Sequence, residues 1–228
     1  MSPSNLHRLS AFTRDPNGGN PAGVWIGDSL PDPETMQRIA AEVGYSETAF
    51  VAPTPGAEPD GFERTVRYYS PEAEVSFCGH ATIATGVALG EASGNGTYRL
   101  ATPVGEVPVE VESVGEGAGA HRVASLPSVE PQQEPASDEL VDAALATLGW
   151  HRDELDPSIP PVRAYAGAWH LVLAVADEHR LAALDYDFET LKALMLDDGL
   201  TTLQLVWRAG PALFHARNPF PVGGVVED

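Results

Sequence analysis

Apolar positions change their period several times along the chain, and each change marks an element. Residues 7–26 read as a strand, a turn-rich loop over Asp15-Pro16-Asn17-Gly18-Gly19-Asn20-Pro21, and a short apolar strand over 22–26. Asp32 before Pro33 supplies a cap and a first-turn proline, Met36, Ile39, Ala40 and Val43 recur at helical spacing, and Gly44 stops the pattern. The chain then enters Tyr45-Ser46-Glu47-Thr48-Ala49-Phe50-Val51, a strand that starts with a carboxylate among apolar neighbours. β-formers dominate 62–70. Residues 81–89 are almost wholly Ala, Ile, Thr, Gly, Val and Leu and lack a polar face. A helix that is apolar all round must be surrounded by protein, and small side chains let strands approach it closely, so a central helix wrapped by sheet is expected. Residues 98–102 and 107–112 flank Pro103-Val104-Gly105-Glu106 as a hairpin, with Val107, Val109 and Val111 marking one buried face.

The Gly-rich stretch 115–120 reads as a linker. Beyond it the pattern restarts with a strand near 123–126, a helix over 137–149 and strands at 162–166 and 169–175. Helices are expected at 178–184 and at 188–196, the latter capped by Asp187, followed by strands at 202–207 and 212–217. Arg67-Tyr68-Tyr69-Ser70-Pro71 and Arg217-Asn218-Pro219-Phe220-Pro221 both place Arg four residues before Pro at the end of a strand. The short match suggests two copies of one lobe, the second without its central helix.

Composition narrows the function. The 228 residues hold 13 Lys and Arg against 33 Asp and Glu, a net charge of −20 that repels phosphate backbones and anionic membranes. Nucleic acid and membrane are therefore not expected partners. No apolar run reaches 18 residues and the N-terminal stretch lacks a charged head followed by an apolar segment, so a cytoplasmic location is expected. The single cysteine, Cys78, excludes an internal disulfide framework and any thiol-rich metal site.

Three places carry candidate chemistry. Gly79-His80 at the start of the apolar helix offers backbone N–H groups and the positive end of the dipole, a seat for a carboxylate; the plain alternative is a tight turn with a capping histidine. A helix N-terminus also opposes imidazolium formation, which favours a neutral His80. Glu47, if desolvated, would have a raised pKa and could both take and give a proton near neutrality; the alternative is a solvent-facing residue on an edge strand. Cys78 is either a thiolate base favoured by the helix N-terminus or small buried packing. Seven scattered histidines without a His-x-x-x-His pair, and no clustered carboxylates, leave the metal reading weak, and no dinucleotide or Walker motif occurs. Trp150, Trp169 and Trp207 could line a ring pocket, but core positions suit them better.

Taken in order, Phe12-Thr13, Gly19-Asn20-Pro21-Ala22-Gly23-Val24, Ser46-Glu47-Thr48-Ala49-Phe50-Val51, Arg67-Tyr68-Tyr69-Ser70-Pro71 and Cys78-Gly79-His80-Ala81-Thr82 resemble the phenazine-biosynthesis PhzF-like family of isomerases. The likeness resumes at 217–228. It implies an α+β, diaminopimelate-epimerase-like fold of two pseudo-symmetric lobes, each a mixed curved sheet around a central helix, with the active site in the cleft between them. The lobes would be 1–114, with the central helix at 80–90, and 115–228, lacking its central helix. The resemblance makes Glu47 the catalytic acid/base, with His80 and Asp228 also in the catalytic set. Ser46, Gly79 and His80 would bind and orient the substrate, with Asn20 near the cleft. The implied reaction is proton transfer between carbons of a small carboxylic acid, without metal or organic cofactor.

The family continues past the position of Asp228 into Pro-Ala-Thr-Gly-Ser and a second central helix. That departure leads to the expectation of a separate C-terminal fragment beginning with Pro, produced by cleavage at an Asp–Pro bond and bound as its own chain. Family members often form homodimers, and the stoichiometry here is open. Cys78 falls where diaminopimelate epimerases keep one of two catalytic cysteines, which makes an epimerase or racemase the nearest rival enzyme. A non-catalytic metabolite-binding homologue is the rival from another class.

Overall fold

In the computed structural model, which describes residues 5–15, 17–57 and 61–228, the chain divides into two compact units between Ser128 and Val129. Pro16, within the expected turn-rich loop, lies outside the described residues.

The first unit runs β1 (Leu6–Ala11), β2 (Asn20–Ile26), α1 (Pro33–Val43), β3 (Glu47–Pro53), β4 (Glu63–Tyr69), β5 (Glu74–Val75), α2 (Gly79–Ser93), β6 (Gly96–Thr102), β7 (Gly105–Val114) and β8 (His121–Ser125). Its strands form one mixed sheet in the order β1-β2-β3-β4-β6-β7-β8, with the short β5 paired to β4. The pairs β2/β3 and β4/β6 are parallel and the others antiparallel. Both ends of this order, β1 and β8, pack on α2, as do β2, β3 and β7, so the sheet curls around the helix. The expected central helix is thus present, and it extends from Gly79 to Ser93.

Small residues make that wrapping feasible. Ala81, Ala84, Ala88 and Leu89 sit in the core with Val24, Val51, Val109 and Val111. A Cβ on Gly86 would stand 2.7 Å from Val109 and 2.8 Å from Ala124, closer than packed carbons approach, so only glycine lets β7 and β8 approach the helix this closely. On the outer face of the sheet, Met36, Ile39 and Ala40 of α1 pack on Phe50 and Tyr69. Helix α1 begins and ends as its sequence predicts: the Asp32 side chain accepts from Thr35 N–H, and Gly44 takes the left-handed conformation at the other end.

The Gly-rich stretch at 115–120 is a hairpin connection within this unit, since β8 pairs antiparallel with β7 through Val114 and His121. Glycines at positive φ, Gly115 and Gly117, serve a reversal as well as a linker, and the pairing of β8 carries the unit past the expected limit at 114 to Ser128.

The second unit runs β9 (Gln132–Pro135), α3 (Asp138–Leu148), β10 (Val162–Tyr165), β11 (Trp169–Val175), α4 (Glu178–Ala182), α5 (Phe188–Asp197), β12 (Thr202–Gly210) and β13 (Leu213–Arg217). Its sheet has the order β13-β12-β11-β10-β9, with β11/β12 parallel and the rest antiparallel. Leu140, Ala144 and Leu145 of α3 and Leu191 and Met195 of α5 join Leu171 and Leu203 of the sheet in a separate core. Trp150 is buried in that core, and Trp169 and Trp207 pack on it half-buried. The edge strand β9 escapes sequence analysis because Gln-Gln-Glu-Pro is exposed throughout and has no apolar alternation.

Candidate active site

Alternation along β3 decides where Glu47 points. Ala49 and Val51 belong to the core around α2, whereas Phe50 belongs to the cluster under α1 on the opposite face. Glu47 lies two residues before Ala49 and therefore shares the α2 face. It pairs in register with Ala22 of the neighbouring parallel strand, so its strand is internal and not an edge. The carboxylate comes to rest beside the N-terminal tip of α2.

At that tip four side chains converge, all between 4 and 8 % exposed: Ser46, Glu47, Cys78 and His80. Glu47 Oε2 stands 3.5 Å from His80 Nε2. Ser46 Oγ is 3.4 Å from the same nitrogen, and Cys78 Sγ is 3.3 Å from His80 Nδ1. The Cys78 side chain makes no capping hydrogen bond to the first turn of α2, which starts after Cys78 in an extended conformation. The first-turn N–H groups and the helix dipole therefore present partial positive charge at the place where the carboxylate and imidazole meet. A Cβ on Gly79 would meet nothing within 4 Å, so open space adjoins the first helical residue.

A buried hydrogen-bonded chain braces this tip. Tyr68 Oη lies 2.7 Å from Thr82 Oγ1, and Thr82 Oγ1 donates to the Cys78 carbonyl at 2.6 Å. Burial pushes the Tyr68 phenol far above its ordinary pKa, so it remains neutral in this chain. Tyr68 belongs to the Arg67-Tyr68-Tyr69-Ser70-Pro71 stretch that carries the resemblance, but the sequence alone does not reveal its contact with the helix tip. The signal available was a tyrosine on a core-facing row, whose hydroxyl needs a partner once buried.

The remaining expected site residues lie elsewhere. Asn20 is half-buried at the head of β2, two residues before the Ala22 that pairs with Glu47. Asp228 belongs to the second unit, where its N–H donates to the Asn218 carbonyl at 3.0 Å. Its charge acts on His170, a half-buried histidine whose Nδ1 lies 2.7 Å from Thr202 Oγ1. Burial lowers the His170 pKa, and the Asp228 carboxylate opposes that shift. His170 and Thr202 carry no sequence motif; only the parallel register of β11 and β12 makes them neighbours.

Two units of curled or layered mixed sheet, one of them wound on an apolar helix whose tip bears the carboxylate–imidazole pair, define a diaminopimelate-epimerase-like α+β fold. The phenazine biosynthesis-like profile PhzC-PhzF matches residues 9–228, and the chain belongs to that family of isomerases. An uncharacterized isomerase of Deinococcus radiodurans is 32 % identical over 235 residues, covering 96 % of this chain and 70 % of that protein. The crystal structure of a Bacillus anthracis phenazine biosynthesis protein of the PhzF family superposes with a TM-score of 0.76 at 26 % identity, covering 98 % of this chain and 74 % of the other. A predicted epimerase of Pseudomonas aeruginosa, PA4716, shares the fold with a TM-score of 0.80 at 21 % identity, over 98 % of this chain and 75 % of its own. Among the described residues no helix is long and apolar enough to cross a membrane.

Proposed function

We propose that the protein is a cofactor-independent isomerase in which Glu47 removes an acidic C–H proton from a small carboxylic acid and returns it to another carbon of the same molecule. The approach of the Glu47 carboxylate to His80 Nε2, at 3.5 Å beside the N-terminal tip of α2, carries this assignment. A base that must both accept and deliver a proton works best when water is excluded and a second proton-bearing side chain stands within reach, as His80 does. The substrate carboxylate would accept hydrogen bonds from the N–H groups at Gly79 and His80, where the helix dipole favours negative charge. Ser46 would orient His80 or the substrate, and Asn20, at the head of β2, would complete the binding set.

Incubation with candidate carboxylic acids in heavy water, followed by NMR or mass spectrometry, tests the proposal. Solvent deuterium should enter a C–H position of a turned-over acid, and Glu47→Gln should reduce that exchange by about 10³-fold while circular dichroism stays unchanged. Exchange at the wild-type rate in the variant would remove Glu47 from the mechanism.

Cys78 supports a second reading, an epimerase or racemase with a thiol base, because its sulfur lies inside the same buried cluster. Cys78→Ser separates the two. A proton-shuttling glutamate tolerates the change, whereas a thiol base loses its activity, and iodoacetamide inactivation that substrate prevents would favour the thiol. A non-catalytic binding protein would hold the acid and wash in no deuterium.

A further inference from the structure

We propose that Glu47, Cys78 and His80 form a binding site for Zn²⁺, and that occupation by the metal reversibly silences the proton transfer. One carboxylate oxygen, one sulfur and one imidazole nitrogen from these buried residues lie within 4.8 Å of one another. His80 Nε2 is the shared vertex, 3.5 Å from Glu47 Oε2 and 3.9 Å from Cys78 Sγ. A tetrahedral zinc ion with ordinary Zn–N, Zn–O and Zn–S bonds sets its ligand atoms about 3.3–3.6 Å apart. The two edges at Nε2 therefore need to contract by at most a few tenths of an ångström, while the Glu47–Cys78 edge, which reaches at most 4.8 Å, and the sulfur's closer approach to Nδ1, at 3.3 Å, require the imidazole and the thiol to turn toward a common point.

The donor set selects the class of ion. A thiolate with an imidazole and a single carboxylate suits a borderline-soft cation that accepts four ligands, whereas Mg²⁺ and Ca²⁺ require six or more oxygens, which this pocket lacks. The hydroxyl of Ser46, 3.4 Å from the same nitrogen, and the open space beside Gly79 leave the fourth position to a weak ligand such as water. Sequence spacing conceals the site, because Cys78-x-His80 enters from the helix and Glu47 from a strand, and only the curl of the sheet brings them together.

Binding would displace protons from the thiol and from any imidazolium or carboxylic acid, and would tie the Glu47 lone pair to the metal. The inhibitory half of the proposal rests on Glu47 being the catalytic base, while the binding half does not. Two measurements keep them apart. In equilibrium dialysis the purified chain should take up one Zn²⁺ with high affinity, and Co²⁺ used as a probe should give a thiolate-to-metal charge-transfer band in the near ultraviolet. Cys78→Ser, with Cys78→Ala as a second variant of the same position, should abolish the band and weaken Zn²⁺ uptake by at least about 10-fold. Glu47→Gln should keep the band and weaken uptake. Co²⁺ bound without a sulfur band, or Zn²⁺ affinity unchanged in both Cys78 variants, would overturn the site.

Deuterium exchange should fall as Zn²⁺ saturates the wild-type protein and recover on chelation with EDTA. Exchange that continues under a full charge-transfer band would overturn the inhibitory role and leave the site standing. A protein that washes in no deuterium when metal-free, yet shows the band when loaded with Co²⁺, would instead count against the acid/base function.

Discussion

The two units solve the same packing problem in opposite ways. In the first, most of α2 is buried because a sheet closes on it from both edges, Ile83 and Val87 being half-buried, and its buried positions are largely Ala, Gly and Thr. In the second, α3 and α5 each bury one face on a five-stranded sheet and leave the other to solvent, with leucine and methionine providing the contacts. An enclosed helix has its N-terminal tip inside the protein, so the first-turn N–H groups and neighbouring titratable side chains share a place of low solvent access. The tips of α3 and α5 are capped by Ser137 and Asp187, and no such environment arises there.

The corners before these regions are nonetheless alike. Arg67 at the end of β4 pairs with Glu74, and Arg217 at the end of β13 pairs with Glu227, each across a proline-containing turn. The first corner leads to Cys78-Gly79-His80 and the second to Asp228.

Substitutions can break or sharpen this contrast. The largest effect belongs to the wrapped tip, where Glu47→Gln is expected to cost about three orders of magnitude in proton exchange. The wrapping itself comes next. Gly86→Ala should destabilise the first unit by about 1–3 kcal/mol, because Val109 and Ala124 must move. Hydrogen exchange should then rise in α2, β7 and β8 and stay constant in α3; a uniform rise would deny that the two cores are separate. Tyr68→Phe removes one buried hydrogen bond, and a loss of about 1 kcal/mol is expected in urea denaturation, with slower proton exchange because the α2 tip is less well held.

In the second unit, His170 has a folded-state pKa below its ordinary value, so the unfolded chain binds more protons below pH about 6.5. Stability linked to this residue is complete above that pH and declines as the pH falls toward the folded-state value. His170→Gln should flatten that part of the thermal-midpoint profile between pH 7.5 and about 5, and an unchanged slope would show that His170 is not the group responsible. The smallest effects belong to the repeated corners. Arg67→Met and Arg217→Met should each change stability by no more than about 1 kcal/mol, since both ion pairs are partly exposed. A much larger loss at one corner would show that the two are not equivalent.

Periodicity, capping residues and turn signals make most elements legible, from the Asp32 cap and Gly44 stop of α1 to the polar-free run of α2. Those features depend on neighbours within a few positions, and local sterics and hydrogen bonding decide them. The β9 edge and the continuation of the first unit through β8 were not legible, since strand pairing depends on a partner and an exposed four-residue edge carries no apolar period.

Glu47, Gly79 and His80 were recognised as chemically suggestive residues, and their order along the chain carried the family resemblance. Whether Glu47 faced solvent or core, whether Cys78 stood apart or beside the imidazole, and whether Tyr68 had a task were questions that local pattern left open. The amino-acid order alone determined the helices, most strands and the acidic, single-thiol chemistry available to this protein. Tertiary structure alone decided which of those groups meet, because the inward row of β3 and the tip of α2 come together only when the sheet closes around the helix and removes their water.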